Sequence, residues 1–219
     1  MQTKTNLLVF SLAAILSLSI VTMGELPQAV ADKDKDHDDE KKKLKFKKKA
    51  DFTADCMQTP NAPIGVDWDC KASFWLDKKG ENLKYKIEIQ NMDLTTWQTI
   101  DDATDNVGKL HLHTVDDGHV LNVWKAPIED DAQMKAYPSL GILTGIYDDS
   151  DVTSEEDATA GGIGHHDVSK PLTENLDDLC NGNFFVMIHE DPSLGGKGIL
   201  KGLAEPTNQG EKVCKKLGF

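Results

Sequence analysis

The run from Leu83 to Ile89 alternates strictly between apolar and polar residues, reading Leu-Lys-Tyr-Lys-Ile-Glu-Ile. Successive side chains of a strand point to opposite faces, so a period of two indicates a strand with one buried face. Similar short runs recur along the chain and are separated by glycine-containing turns. They cover Ala72 to Leu76, Lys109 to Thr114, Val120 to Trp124, Leu140 to Tyr147, Phe184 to His189 and Gly198 to Leu203. Seven such runs, with one short helical turn at Thr173 to Cys180, predict an all-β fold, an antiparallel β-sandwich.

The N-terminal segment has the features of a secretory signal peptide. Lys4 precedes an apolar run from Leu7 to Val21, and Ala29-Val30-Ala31 forms a small-x-small cleavage site. We therefore assign residues 1–31 to a signal peptide and expect a secreted or cell-envelope protein with no membrane-spanning segment after its removal. The next residues, 32–49, are almost entirely charged and predict a flexible spacer. Residues 50–206 form the predicted sandwich, and residues 207–219 a C-terminal tail.

Four cysteines follow the signal peptide, an even number that favours two disulfides in an exported chain. The sequence leaves three pairings open. We favour Cys56 with Cys70 and Cys180 with Cys214, because each pair closes a local loop, and the second would attach the tail to the body. The spacing does not suggest a four-cysteine zinc site, since no Cys-x-x-Cys occurs.

The charge distribution excludes several classes of function. From Ala50 onward the chain has 14 lysines against 30 acidic residues, and arginine is absent throughout. A body this acidic repels nucleic acid. Without arginine or a glycine-rich phosphate loop, we predict no nucleotide cofactor. A nucleophile elbow is also missing, and the cysteines are expected to be oxidised, so catalytic residues are not identified and an enzyme is not the favoured hypothesis.

The motif His111-Leu112-His113 places two imidazoles on one face of a predicted strand, with Leu110 and Leu112 on the other. If the strand ending at His189 pairs nearby, a third imidazole joins them. Three imidazoles suit zinc, copper or iron. The alternative is that these are ordinary half-buried strand histidines.

Three further histidines are additional candidate ligands. His119 follows a turn and could reach the first two across a hairpin, whereas His165 and His166 follow a glycine-rich stretch and are expected on a loop. The acidic run Asp148 to Asp151 lacks the spacing of an EF-hand, so we interpret it as part of a solvated loop.

The order of motifs resembles the CHRD domain, a module named after chordin and found in many exported proteins. The similar region spans roughly Ala50 to Ala204. The pieces that carry the resemblance are Asp51-Phe52-Thr53-Ala54, Leu83-Lys84-Tyr85-Lys86-Ile87, His111-Leu112-His113, Gly141-Ile142-Leu143-Thr144-Gly145, Leu179 to His189 and Gly198-Ile199-Leu200-Lys201-Gly202-Leu203. The resemblance implies a first strand at Phe52 and a binding or scaffold role. Two long acidic stretches, Thr95 to Lys109 and Asp148 to Gly164, depart from the family pattern.

A more distant similarity is to copper/zinc superoxide dismutase, whose copper histidines include a His-x-His strand and a later Val-x-His strand. This similarity implies a Greek-key sandwich, immunoglobulin-like or dismutase-like, and copper redox chemistry. However, a negative body opposes steering of an anionic substrate.

The sequence thus supports three hypotheses. The first is an exported binding or scaffold module, with an unidentified extracytoplasmic or cell-envelope protein as partner, that holds a metal through His111, His113 and His189. Copper is preferred over zinc because divalent copper binds nitrogen sites more tightly. The second is a dismutase-like copper oxidoreductase, and the third is a metal-free structural envelope protein.

Overall fold

The computed structural model describes residues 46, 49–92, 94, 107–115, 118–124, 131–152, 169–190 and 197–219. Within these ranges, the chain forms two antiparallel sheets of six and five strands. This confirms the predicted all-β sandwich. Among the described residues, no helix is long and apolar enough to cross a bilayer.

The six-stranded sheet, sheet A, has the strand order β11-β1-β3-β4-β8-β7, and the five-stranded sheet, sheet B, has the order β2-β10-β9-β5-β6. The chain alternates between the sheets rather than completing one before beginning the other. The strands are β1 Phe52–Asp55, β2 Met57–Gln58, β3 Asp69–Leu76, β4 Asn82–Gln90, β5 Val107–Thr114, β6 Gly118–Trp124, β7 Lys135–Tyr137, β8 Ile142–Asp148, β9 Phe184–Glu190, β10 Gly198–Leu203 and β11 Glu205–Pro206.

The core lies between the two sheets and follows from the alternation in the sequence. In β4, the apolar residues at every second position are buried, while Lys84 and its polar neighbours lie on the outer face. In β5 and β9, Leu110, Leu112, Val186 and Ile188 belong to the same apolar cluster as the buried face of sheet A. Burial of apolar surface stabilises the folded state by about 25 cal/mol per Å² buried, and it is the main interaction that holds the two sheets together.

Sheet B departs from the simple half-buried pattern at its centre. Nearly every residue of β5 is buried, including His111 and His113 on the face opposite the core. Alternation alone predicts one wet face for an antiparallel strand. In the tertiary structure, the outer face of β5 is therefore buried as well as the face that packs in the core.

Two helices complete the described fold. The short helix α1, Leu176–Cys180, follows a 3₁₀ turn at Leu172–Asn175, as the sequence predicts. The longer helix α2, Asn208–Leu217, occupies the stretch predicted only as a tail. Thr207 caps its first turn by accepting hydrogen bonds from the amides of Gln209 and Gly210.

Helix α2 packs tightly against the start of β1. The amide of Thr207 donates to the carbonyl of Asp51 at 2.9 Å, and a Cβ atom on Gly210 would lie 2.1 Å from that same carbonyl oxygen. Only glycine permits this approach. The contact explains how a helix with few apolar residues is retained at the edge of sheet A.

Both favoured disulfides are present. Cys56 is bonded to Cys70, next to the pairing of β1 with β3, and Cys180 at the end of α1 is bonded to Cys214 in α2. The first bond closes a sequence separation of 14 residues and the second one of 34. The second bond links α2 covalently to the sandwich.

Removing the longer crosslink should cost more stability than removing the shorter one. Loop-closure entropy predicts losses of about 4 kcal/mol for Cys180→Ala/Cys214→Ala and about 3 kcal/mol for Cys56→Ala/Cys70→Ala. Urea unfolding of the two double variants beside the wild type measures both values. Hydrogen exchange should show lost protection in α2 for the first variant alone. Equal protection of α2 in both variants would contradict the role of the Cys180–Cys214 bond as its attachment.

Candidate functional site

The two strands that carry the candidate histidines are neighbours at the centre of sheet B. Strand β5 pairs with β9 in a register that sets His111 opposite Met187, His113 opposite Phe185 and Lys109 opposite His189. Residues directly opposite each other in an antiparallel pair project from the same face. All of these side chains therefore share the outer face of sheet B, while the intervening leucines face the core.

The structure brings the three predicted imidazoles into one cluster. The ring centre of His111 lies 5.1 Å from that of His189 and 5.6 Å from that of His113. His111 is 1% exposed and His113 is 9% exposed, whereas His189 is half-buried. His111 is thus the central and most enclosed ring, and the cluster opens to solvent on the side of His189.

His113 is held by an aromatic partner. Its ring stacks on Phe185 with centres 4.9 Å apart and planes 5° from parallel. The ammonium group of Lys201 lies 3.8 Å from the centre of the Phe185 ring, which is within the range of a cation–π contact. This arrangement fixes one edge of the cluster and places a positive charge near it.

Further side chains around the cluster follow from the same register but are not evident from the histidine motif. Asn122 lies opposite His111 on the β6 side, and its side-chain amide donates to the hydroxyl of Ser169 at 3.4 Å. Met187 lies opposite His111 on the β9 side, with its sulfur beside Gly198. A Cβ atom at Gly198 would lie 2.6 Å from that sulfur, so the glycine leaves room for the thioether.

Lys109 is a second neighbour that sequence reasoning missed. It stands two residues before His111 and opposite His189. The period of two could have identified both Lys109 and Met187, since each is two residues from a candidate histidine and must share its face. A cation beside the open side of the cluster favours anions there.

The ring spacing is compatible with metal ligation. Two imidazoles that bind one ion through bonds of about 2.0–2.1 Å hold their ring centres about 5–6 Å apart, and the two separations around His111 fall in this range. Nevertheless, in the part of the chain that the structure describes, no group of three or more histidine, cysteine, aspartate or glutamate side chains is arranged to hold a metal ion. The cluster thus has suitable donors and spacing, but ligation by all three rings requires their reorientation.

The side chains of the three additional candidate ligands lie outside the part of the chain that the structure describes. His119 pairs with His113 through the backbones of β6 and β5, but its side chain lies outside what the structure describes, as do His165 and His166 entirely.

Comparisons with models of protein families, with curated proteins and with solved structures gave no match. The site must be interpreted from its own geometry.

A buried carboxylate on the sheet A side is the other titratable group that stands out. Asp131 is 3% exposed and accepts hydrogen bonds from the Tyr85 hydroxyl and from the amides of Gln133 and Ile146. Burial raises the pKa of Asp131 above its ordinary value, and the hydrogen bonds act in the opposite direction. A Cβ atom at Gly145 would lie 2.0 Å from the carboxylate, so no substrate could enter there. Asp131 therefore anchors the segment before β7.

The acidic run after β8 is only partly the solvated loop that we predicted, since Asp149 and Ser150 are exposed but Asp151 is not. Asp151 is buried and its carboxylate accepts from the amide of Asp148, while Asp149 accepts from both the amide and the hydroxyl of Thr173. The Asp149 carboxylate connects the chain after β8 to the 3₁₀ turn at Leu172–Asn175, and the Asp151 carboxylate closes the turn after β8. They are occupied by structural hydrogen bonds, which the bare composition of the loop did not reveal.

The raised pKa of Asp131 predicts a definite pH dependence. Because the folded state binds a proton more tightly than the unfolded chain, stability contributed by Asp131 is greatest at low pH and falls as the pH rises past the ordinary value of 3.8 towards the raised pKa. The unfolding free energy of the wild type relative to Asp131→Asn should therefore decrease over that range. At neutral pH the variant should still be less stable by about 1–3 kcal/mol, since an NH2 group replaces one carboxylate oxygen and the amide of either Gln133 or Ile146 loses its acceptor.

Urea unfolding between pH 3.5 and 7 measures this difference. Asp67→Asn, an exposed residue with the same change in charge, is the matched control and should not reproduce the trend. A difference between the wild type and Asp131→Asn that grows with pH would contradict the assignment.

Proposed function

We propose that this protein is an exported, disulfide-stabilised binding module of the CHRD type that binds a copper ion through His111 together with His113 and His189. The observation that carries the proposal is the cluster of three imidazoles from two paired strands. The ring centre of His111 lies 5.1 Å from that of His189 and 5.6 Å from that of His113. Burying three imidazoles costs desolvation free energy that apolar residues at the same strand positions would not cost, and metal binding accounts for this arrangement.

Copper is the ion that the donor set favours. Imidazole nitrogen suits copper and zinc alike, but divalent copper has the higher intrinsic affinity. The thioether of Met187 projects from the same face, with its sulfur beside Gly198 of β10, and a soft donor near the cluster suits monovalent copper. The acidic body also attracts cations, which raises their concentration at the surface.

Export is supported by two features. The N-terminal 31 residues have the pattern of a signal peptide, and both disulfides require an oxidising compartment to form and persist. In such a compartment the chain would present the half-buried His189 side of the cluster to solvent. We expect its partner to be another extracytoplasmic or cell-envelope protein.

A dismutase-like copper oxidoreductase is the second candidate, and one observation favours it. Lys109 lies opposite His189 at the open side of the cluster, where a cation would attract a small anionic substrate. The negative charge of the surrounding body acts against this attraction. Superoxide consumption by the copper-loaded protein, with Lys109→Gln as the test variant, separates an oxidoreductase from a binding module.

The histidine site predicts a specific metal stoichiometry. Mature protein purified from an oxidising compartment should carry about one copper per chain by elemental mass spectrometry, because three imidazoles can share one ion. Loss of a ligand, in His111→Ala or His189→Ala, should weaken copper binding by about a hundredfold or more. Added copper should also raise the Tm of the wild type, since an ion that binds only the folded state stabilises it.

The matched control is His37→Ala, which removes an imidazole from the charged spacer and should leave copper content unchanged. If the wild type holds no stoichiometric copper or zinc even after incubation with either ion, the metal hypotheses fail. The cluster is then a structural feature of a metal-free envelope protein, with His113 stacked on Phe185 as its packing role.

A further inference from the structure

Met187 is the sulfur-bearing side chain beside the histidine cluster. It lies two residues before His189 on β9, directly opposite His111 on β5 and opposite Lys201 on β10. Its side chain is half-buried, so the thioether borders both the enclosed cluster and solvent. Leucine has a similar volume and would pack equally well at such a position. What methionine adds here is therefore its polarizable sulfur.

Gly198 gives the Met187 thioether a place beside His189. Gly198 pairs directly with His189, and a Cβ atom on this glycine would lie 2.6 Å from the Met187 sulfur and 3.3 Å from its Cε atom. The thioether therefore occupies the space into which the cross-strand neighbour of His189 would otherwise project. Cβ atoms of directly opposite residues lie about 4.5–5.5 Å apart, so the sulfur and the His189 imidazole are adjacent on this face.

The backbone around Gly198 is held in this position. Its carbonyl oxygen accepts hydrogen bonds from the Thr59 hydroxyl at 2.6 Å and from the side-chain amide of Asn61 at 3.3 Å. The register of β10 with β9 also shifts between Gly198 and Leu200, where one extra residue enters the strand. Such bulges redirect neighbouring side chains. The space above Gly198 is thus a fixed part of the fold, and the flexible thioether fills it.

His113 is the imidazole that is held most firmly away from the other two. Its ring stacks on Phe185 with planes 5° from parallel, and turning it toward an ion disrupts this stack. His111 and His189 have the shorter separation, with ring centres 5.1 Å apart. An ion between these two rings therefore has the Met187 sulfur as a neighbouring donor that does not require the stack to break.

The charges on this face favour an ion of low charge. Along the outer-face positions of β5, β9 and β10 that the structure describes, the charged side chains are Lys109, opposite His189, and Lys201, opposite Met187. At a given distance, Coulomb repulsion from an ammonium group is about half as large for a monovalent ion as for a divalent one. Thioether sulfur also selects monovalent copper. Two independent properties of the site thus indicate the same oxidation state.

From these observations we propose that Met187 makes the site selective for monovalent copper. The ligands of that ion are Met187, His111 and His189. His113 stays stacked on Phe185 and becomes a ligand only for divalent copper. That His111 and His189 hold copper is the part of the proposed function on which this assignment rests. Binding of an ion that is already monovalent transfers no electron.

Copper affinities measured separately for the two oxidation states, with the full mature chain, test the role of Met187. Monovalent copper is supplied anaerobically with ascorbate and measured by competition with bathocuproine disulfonate, and divalent copper is measured by competition with nitrilotriacetate. In Met187→Leu the dissociation constant for monovalent copper should rise about tenfold or more, because a soft ligand is lost, while that for divalent copper should change less than about threefold. The midpoint potential of the bound copper should then fall by about 59 mV for each tenfold difference.

The matched control is Met57→Leu, which makes the same substitution at an exposed methionine of β2 and should leave both affinities unchanged. X-ray absorption gives a second readout. Wild type loaded with monovalent copper should show a sulfur neighbour of the metal, which Met187→Leu lacks and Met57→Leu retains. All four cysteines are paired in disulfides, and a thiol titration confirms that they remain so under the assay conditions.

Equal affinity of Met187→Leu and the wild type for monovalent copper overturns the assignment of Met187. An equal loss of affinity in both oxidation states also overturns it, because Met187 then acts through packing alone. Absence of a sulfur neighbour in the wild type overturns it even if Met187→Leu does not fold. In each of these cases, divalent copper binding that is lost in His111→Ala leaves the proposed function standing. Failure of the wild type to bind copper in either state overturns both.

Discussion

The pairing of β5 with β9 at the centre of sheet B is the constraint on which the rest of this structure depends. The register of that pair places Leu110 and Leu112 beside Val186 and Ile188 in the core. By the same alternation it places the histidines together on the opposite face. A shift of one residue would exchange the two faces, exposing the core leucines and separating the imidazoles. The register of this strand pair therefore determines both the packing of the core and the assembly of the histidine cluster.

The molecule keeps its polar interior groups in defined local arrangements. Asp131 is surrounded by one hydroxyl and two amides, and Asn175 donates to the hydroxyl of Tyr147, which itself donates to the carbonyl of Lys170. Each arrangement connects a segment outside the sheets to a strand of sheet A. Satisfied buried polar groups fix the geometry of such segments, because any alternative arrangement leaves a buried group without a partner. These hydrogen bonds therefore fix the segments around residues 131 and 170–175 against sheet A.

Several elements were evident from the sequence for identifiable reasons. The strands at Leu83 to Ile89 and Lys109 to Thr114 were predicted because their apolar residues recur with a period of two, and the first strand at Phe52 followed from the CHRD resemblance. The edge strands β2, β7 and β11 were missed because runs of two or three residues carry no periodicity. Helix α2 was missed because it has few apolar residues. It is held instead by the Cys180–Cys214 bond and by the close approach of Gly210 to the Asp51 carbonyl, which are tertiary contacts.

By itself, the sequence determined the all-β class, the preference for two local disulfides, the identity of the three clustered histidines and the acidic character of the body. These properties follow from local periodicity, from cysteine spacing and from counting charges. Only the tertiary structure decided that His111 is almost completely enclosed, that Met187 and Lys109 are its neighbours, and that the ring of Phe46 stacks on Trp75. Each of these depends on strand register and sheet order, because contacts between residues far apart in the chain are set by which strands pair and at what offset.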